Sequence, residues 1–341
     1  MLTRRAQGGA ACIPTTPATT TSVRVDGSVL LKIVRHVSEA HPGPANGQLM
    51  GVEDENDSTI LRVTHTFALP ANMSIGDNDG ARSRATNKYV NDMVSLLREV
   101  NVEPNTIGWY TGGPMGRFVS PQLVEGLLSA QSTNREAVVI VYDAPASHLA
   151  GFGLRAYRLS PQYLAARKEG RLTSENLTKN NLSYKNVLVE LPVTVENSHL
   201  ATMFLHSASA GLPENDYEDL ALPGDTYLER SVEGLFDTVE DFYYDQGNYS
   251  FYQRQVAREQ AKISQWQQKR KAENATRAQN GQEPLSTEEW KSLFKLPEEP
   301  SRADALLISS QLDRYCEHIE GFGPTVTSKL FAAQKTLLDN A

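Results

Sequence analysis

Between Thr226 and Ala278, apolar side chains return every seventh residue, at Leu228, Leu235, Phe242, Tyr249, Val256 and Ile263. A second row, Val232 and Val239, stands four residues after the first. This spacing is the a/d seam of a coiled coil. The second row then turns to glutamine, at Gln246, Gln253, Gln260 and Gln267, so the seam fades along its length. A helix of this kind draws most of its stability from whatever covers its apolar face. The segment therefore needs a partner, either the chain's own C-terminal helices or another chain.

Upstream of residue 197 the period is different, because short strands and helices alternate. Val23 and Val25 mark a strand. Ser28 caps a helix whose stripe is Leu30, Leu31, Val34 and Val37. QLMGVEDE and STILRVTHTFALP read as strands, the second alternating Leu61, Val63, His65 and Phe67. Residues 71–86 carry almost no apolar side chain and are expected to be a mobile loop. Asn87 then caps a helix with Tyr89, Val90, Met93, Leu96, Leu97 and Val100 along one face. NTIGWYTG is a strand, and a helix follows with Pro121 in its first turn. AVVIVYD is a continuous apolar run, expected as a fully buried strand. LRAYRLS and VLVELPVTV add further strands, and SHLATMFLHSASA reads as a helix.

This alternation predicts an α/β fold, a mixed β-sheet covered by helices, with a C-terminal α-helical region after it. The expected divisions are a disordered tail over 1–22, a compact domain over 23–166 and connecting strands and helix over 167–225. A long helix over 226–278, a Pro/Glu-rich linker over 279–302 and two closing helices over 303–341 complete the chain. Ile308, Leu312, Tyr315, Ile319 and Phe322 line the first closing helix. Val326, Leu330 and Leu337 line the second, with Gly321, Gly323 and Pro324 between the two. The linker carries a lone apolar cluster of Trp290, Leu293, Phe294 and Leu296, which can dock on another protein or fold back on its own helices.

Charge and cysteine content exclude several classes. A formal net charge of -8 argues against a broad basic face for RNA. Lys269, Arg270, Lys271 and Arg277, within 268–279, make a local basic stretch, read as a solvated helix end, with phosphate contact as the alternative. The two cysteines, Cys12 and Cys316, form no disulfide framework, and Cys316 falls beside an apolar stripe where burial is expected. No apolar run reaches the roughly 18 residues of a membrane span. The first residues, with Arg4 and Arg5 and no acid before Asp26, imitate a presequence but lack its apolar face.

The strings NGQLMG at 46–51 and IGWY at 107–110, in this element order, resemble the MPN (JAB) domain family. LRAYRLSPQYL at 154–164, NSHL at 197–200 and the run beginning WKSLFKLPEEP at 290 resemble its h-type branch in eukaryotic translation initiation factor 3. The resemblance implies an MPN-type sheet, and it also implies a chemistry to look for. Active members of the family hold zinc with two His and an Asp, activate its water with an upstream Glu, and use a Ser at the oxyanion. In this chain the Glu position is Pro44, and the His positions are Thr111 and Gly113. Pro114 matches the motif's proline. The Ser and Asp positions are Ser120 and Leu123, or Pro121 and Val124 without a one-residue gap; Glu125 fits neither register. No zinc ligand remains, so the expectation is a non-enzyme with no catalytic residue, no metal and no cofactor.

The histidines, His36, His41, His65, His148, His199, His206 and His318, make no metal-ligand spacing, and His65 reads as a core histidine. No G-x-S-x-G elbow or phosphate-binding glycine loop is present. The partners implied are the other subunits of initiation factor 3, including a second MPN protein, and through them the small ribosomal subunit, in the cytoplasm and away from membranes. Messenger RNA recruitment would be the complex's task, and direct RNA contact stays open. The candidate partner-binding residues are Leu228, Val232, Leu235, Val239, Phe242, Tyr249, Val256, Ile263, Ile308, Leu312, Tyr315, Ile319, Leu330 and Leu337. The alternatives are a metal-free MPN subunit of the proteasome lid or signalosome, an active metallo-isopeptidase with other ligands, and an RNA-binding module.

Overall fold

The computed structural model describes residues 20–40, 43, 45–54, 59–70, 80–100, 102, 105–112, 118–143, 153–209, 225–279, 286, 288–289 and 293–339. One mixed sheet organises the first 196 residues. Its strands are β1 (Ser22–Asp26), β2 (Ala45–Glu53), β3 (Ile60–Ala68), β4 (Thr106–Gly112), β5 (Val138–Tyr142), β6 (Leu154–Leu159), β7 (Leu188–Leu191) and β8 (Val193–Glu196). Their order across the sheet is β7-β6-β5-β4-β2-β3-β1-β8. Only Pro192 separates β7 from β8, yet they lie at opposite edges. Eight flat strands at about 4.8 Å spacing would hold those edges about 34 Å apart, whereas two Cα steps span at most about 7.6 Å. The sheet must therefore curl until its edges meet at Pro192, whose carbonyl accepts the Val23 N–H at 3.0 Å.

Alternate side chains of β4, β5 and β6 feed two cores, as the period of a strand requires. Tyr110, Val138, Ile140 and Ala156 join β1 and helix α1 (Gly27–Ala40) in one cluster. Trp109, Val139, Val141, Tyr157 and Leu159 join helices α3 (Pro121–Thr133) and α4 (Pro161–Lys168) in the other. All five β5 residues are buried, as its apolar run foretold. A bulge at Met50/Gly51 shifts the β2–β3 register, and Met50 and Phe67 form a third, smaller cluster under helix α2 (Gly80–Glu99). Helix α5 (Ser174–Lys179) and a 3-10 turn at Tyr184–Asn186 lead into β7. Helix α6 (His199–Ser209) follows β8.

Several expectations change. In α1 the buried residues are Val29, Ile33 and Val37, with Leu30 and Val34 only flanking them, and Leu31 faces solvent. The i, i+4, i+8 row of β-branched residues wins the core position, which turns Leu31 outward. Helix α2 begins at Gly80, not Asn87, so it takes in 80–86 of the expected loop; residues 71–79 lie outside the described residues. Its stripe turns as well: Tyr89, Val90, Met93, Val94 and Leu97 pack inward, while Leu96 and Val100 are exposed. The compact domain does not end at 166, because β7 and β8 complete its sheet. Of the expected tail, 1–19 lie outside the described residues, but Thr20 is buried and its N–H donates to the Glu136 carboxylate at 3.2 Å.

The C-terminal region consists of helix α7 (Asp225–Gln279) and helix α8 (Ala303–Asp339). The closing segment is one helix and not two, continuing through Gly321, Gly323 and Pro324. An interior proline costs about 3 kcal/mol. Here Phe322 is buried and stands edge-on to His318 at 4.9 Å, so packing at the weak point carries the helix across it.

Candidate functional site

The surroundings of Thr111 are where relatives with zinc chemistry would place their ligands. Thr111 lies on β4 between Asn46 of β2 and Val141 of β5, and it is half-buried. Its neighbour Tyr110 points the other way, into the α1 core, where its hydroxyl meets His36 Nδ1 at 2.7 Å. Burial raises the tyrosine pKa well above its ordinary range. It also lowers that of His36, with the Glu39 carboxylate pulling weakly in the other direction. The pair is a neutral hydrogen bond within the fold. Gly47 of β2 makes room for it, since a methyl group there would sit inside the Tyr110 ring.

Ser120 is the N-cap of α3, its side-chain oxygen accepting the Leu123 N–H at 3.2 Å. That bond satisfies a helix-end donor, and it gives the serine a structural task. Leu123 and Val124 are buried in the core beside Trp109 and Tyr157, and an aliphatic side chain donates no electron pair to a cation. Pro121 and Glu125 are exposed on α3; Pro44, Gly113 and Pro114 lie outside the described residues. Judged by the donor chemistry of Thr111, Ser120 and Leu123, these positions do not fit zinc. Among the described residues, no group of three His, Cys, Asp or Glu could hold a metal ion.

The heptad residues meet a partner inside the chain. Helices α7 and α8 pack against each other and run antiparallel, with Tyr315 over Gly234 and Arg302 over Tyr249. A Cβ at Gly234 would approach the Tyr315 hydroxyl to 2.5 Å, so the bare backbone is what lets the ring in. Ile263 and Tyr315 are buried. Val232, Leu235, Val239, Phe242, Tyr249 and Val256 on α7, and Ile308, Leu312 and Ile319 on α8, are half-buried. Leu330 is exposed, and the side chains of Leu228 and Leu337 lie outside the described ones.

Cys316 is exposed, not buried. Tyr315 takes the inward position, which rotates its neighbour about 100° away. Arg270 in the basic stretch stacks on Trp266 at 4.9 Å and pairs with Glu273 and Glu289, so its charge is used within the chain. In the linker, Leu293 and Leu296 are exposed and Phe294 is half-buried; Trp290 lies outside the described residues. His65 is half-buried, with Nδ1 3.0 Å from the Thr64 hydroxyl.

Helix α8 is also seated on the sheet, which sequence reasoning missed. Leu307 enters the core cluster of α3 and α4. Arg314 lies over the Tyr157 ring at 5.7 Å. His318 Nε2 is 3.4 Å from the carboxylate of Asp143, directly after β5, and both side chains are buried. Linker residues add Glu298 on Arg171 at 2.7 Å and Glu299 accepting the Ser174 N–H at 3.1 Å. The Arg302 N–H donates to the Leu172 carbonyl at 2.8 Å. One signal for the helix pair stood in the sequence: a glycine inside a long helix costs about 1 kcal/mol and calls for a reason. Nothing in the sequence linked Asp143 to His318.

Comparison with known proteins gives two family matches. Residues 18–136 match the family described as JAB1/Mov34/MPN/PAD-1 ubiquitin protease. Residues 149–340 match the family described as the C-terminal region of eIF3h. A Yarrowia lipolytica protein, named as the H subunit of eukaryotic translation initiation factor 3, is 47% identical over 94% of this chain and 100% of its own length. Proteins of the same name from Phaeosphaeria nodorum and Neurospora crassa are 40% and 38% identical, each over 93% of this chain and 96% of their own.

Proposed function

The chain belongs to the family of the H subunit of eukaryotic translation initiation factor 3, and from that premise we propose that it is a non-catalytic assembly component of that factor. The observation that carries the reading is the pairing of two halves. The MPN-type half has a hydroxyl and an aliphatic side chain where a hydrolase needs imidazole and carboxylate. The second half is a helix pair that leaves apolar surface uncovered. Without a ligand set there is no acidified water, so shape is what the first half offers to other proteins.

In this reading the MPN domain pairs with a second MPN protein, and the C-terminal helices join those of neighbouring subunits. The half-buried seam residues, from Val232 to Val256 on α7 and from Ile308 to Ile319 on α8, face the chain's own helix pair, and the apolar surface left exposed beside them is where such a helix would settle. Exposed Leu200, Met203 and Phe204 on α6 support an assembly role, since contiguous apolar surface of this kind marks interaction sites. Through the complex the chain would reach the small ribosomal subunit and support messenger RNA recruitment, in the cytoplasm. No helix among the described residues is long and apolar enough to cross a membrane.

The test is purification of the tagged full-length chain from its own cells, with metal analysis of the same sample. Stoichiometric recovery with initiation-factor subunits, one of them an MPN protein, and zinc far below one per chain is the expected result. A chain recovered alone, or one holding a full zinc equivalent that is lost on substitution of Thr111, overturns the reading.

A further inference from the structure

Helix α7 has a second seam on the side opposite α8. Phe236, Tyr243, Tyr244 and Phe251 are 69%, 71%, 74% and 59% exposed. Phe236 and Tyr243 are seven residues apart, as are Tyr244 and Phe251, and Glu240 and Gly247 fall between them at the same repeat. On a helical wheel these six positions share one face, turned about 180° from the row of Tyr249, Val256 and Ile263 that faces inward. Four rings at these exposures leave on the order of 500 Å² of aromatic surface in water, a patch as large as those that usually mark interfaces. Gly247 meets nothing within 4 Å, so a neighbouring backbone could come close at the centre of the stripe.

The charge around this stripe says what kind of neighbour fits. Residues 225–251 carry seven carboxylates and one arginine, a net charge of −6. No ion pair engages Glu233, Asp237, Glu240, Asp241 or Asp245 among the described residues. Such a field repels RNA phosphates and anionic lipid headgroups and attracts Lys and Arg. The second half of α7, residues 252–279, is basic, with seven cations and two acids. Yet Lys262 is held by Glu259 and Arg270 by Glu273 and Glu289, so a second copy of the chain presents a partly neutralised strip.

We propose that the outer aromatic-acidic face of α7 docks a basic amphipathic helix of another subunit, one that lays an apolar stripe flanked by Lys and Arg along Phe236 to Phe251. The proposal rests on the assembly reading above and adds the face used and the chemistry of the partner. Aromatic side chains would supply the buried anchors, and the carboxylates would set the register and the rate of encounter. The inner face, which α8 covers as far as Tyr249, stays out of this contact.

The experiment places a photoreactive benzoylphenylalanine at position 243 of the full chain, lets it assemble in cells, and maps the cross-links by mass spectrometry in the purified complex. A parallel chain carries Phe236→Ser, Tyr243→Ser and Phe251→Ser, changes at exposed positions that leave the melting temperature in place. The expected result is a cross-link into one helical segment of another subunit with Lys or Arg flanking its apolar stripe. The triple variant should weaken retention of that subunit by about tenfold or more, more steeply as salt is raised. Cross-links to RNA, to a second copy, or to an acidic segment overturn the proposal. So does a triple variant that keeps every subunit as tightly as the native chain. A chain that joins no complex at all sinks the assembly reading instead, and the two failures are told apart by what co-purifies.

Discussion

At Gly47 the absence of a side chain is a packing requirement, because the Tyr110 ring occupies the space and is held there by His36. The family string around Gly47 was readable as sequence, but the reason for its glycine is a ring sixty-three positions away. The His36–Tyr110 contact gives a prediction about acid. Burial holds the imidazole below its ordinary pKa of about 6.5. Protons therefore bind the unfolded chain more readily. The contribution of the neutral pair is complete above about pH 6.5 and is lost as pH falls through the lower, folded value. His36→Gln keeps a hydrogen-bonding group but removes the titration. Its urea midpoint should fall less between pH 7 and 5 than that of the native chain, and equal slopes would refute the assignment. Ser120 teaches the converse, because with a one-residue gap it stands where the resemblance expects the serine of an active member, and here it closes the first turn of α3.

At the scale of elements, periodicity was informative and its phase was not. The seven-residue repeat of α7, the buried β5 run and the alternating strands were all legible, since each depends on local spacing alone. The face of α1 that turns inward and the early start of α2 depend on competition for core positions, which a single sequence does not display. The unbroken α8 is the same lesson in reverse: Gly321, Gly323 and Pro324 argued for a break that the buried Phe322 overrides. For the helix pair, Gly234→Leu should push Tyr315 off α7. Amide hydrogens over 308–322 should then exchange at least tenfold faster, while those of β5 remain protected. Loss of protection in β5 as well would mean that the pair and the sheet unfold as one unit.

For the whole molecule, the decisive joint is the one between the sheet and α8, made by Leu307, Arg314 and the buried Asp143–His318 contact. Removing one partner of a buried polar pair leaves the other desolvated and alone, at a cost of about 1–3 kcal/mol. His318→Leu should therefore lower stability by about that amount, and adding Asp143→Leu should recover much of it; a double variant as unstable as the sum of the two singles would show that the residues act independently. The same joint fixes the bearing of α7. Beyond Tyr249, where Arg302 clasps it, the helix runs on to Gln279, a reach of about 45 Å at 1.5 Å per residue. Such a spar magnifies what happens at its root: a tilt of about 5° there would carry its far end through about 4 Å, enough to bring a neighbouring side chain into or out of touch.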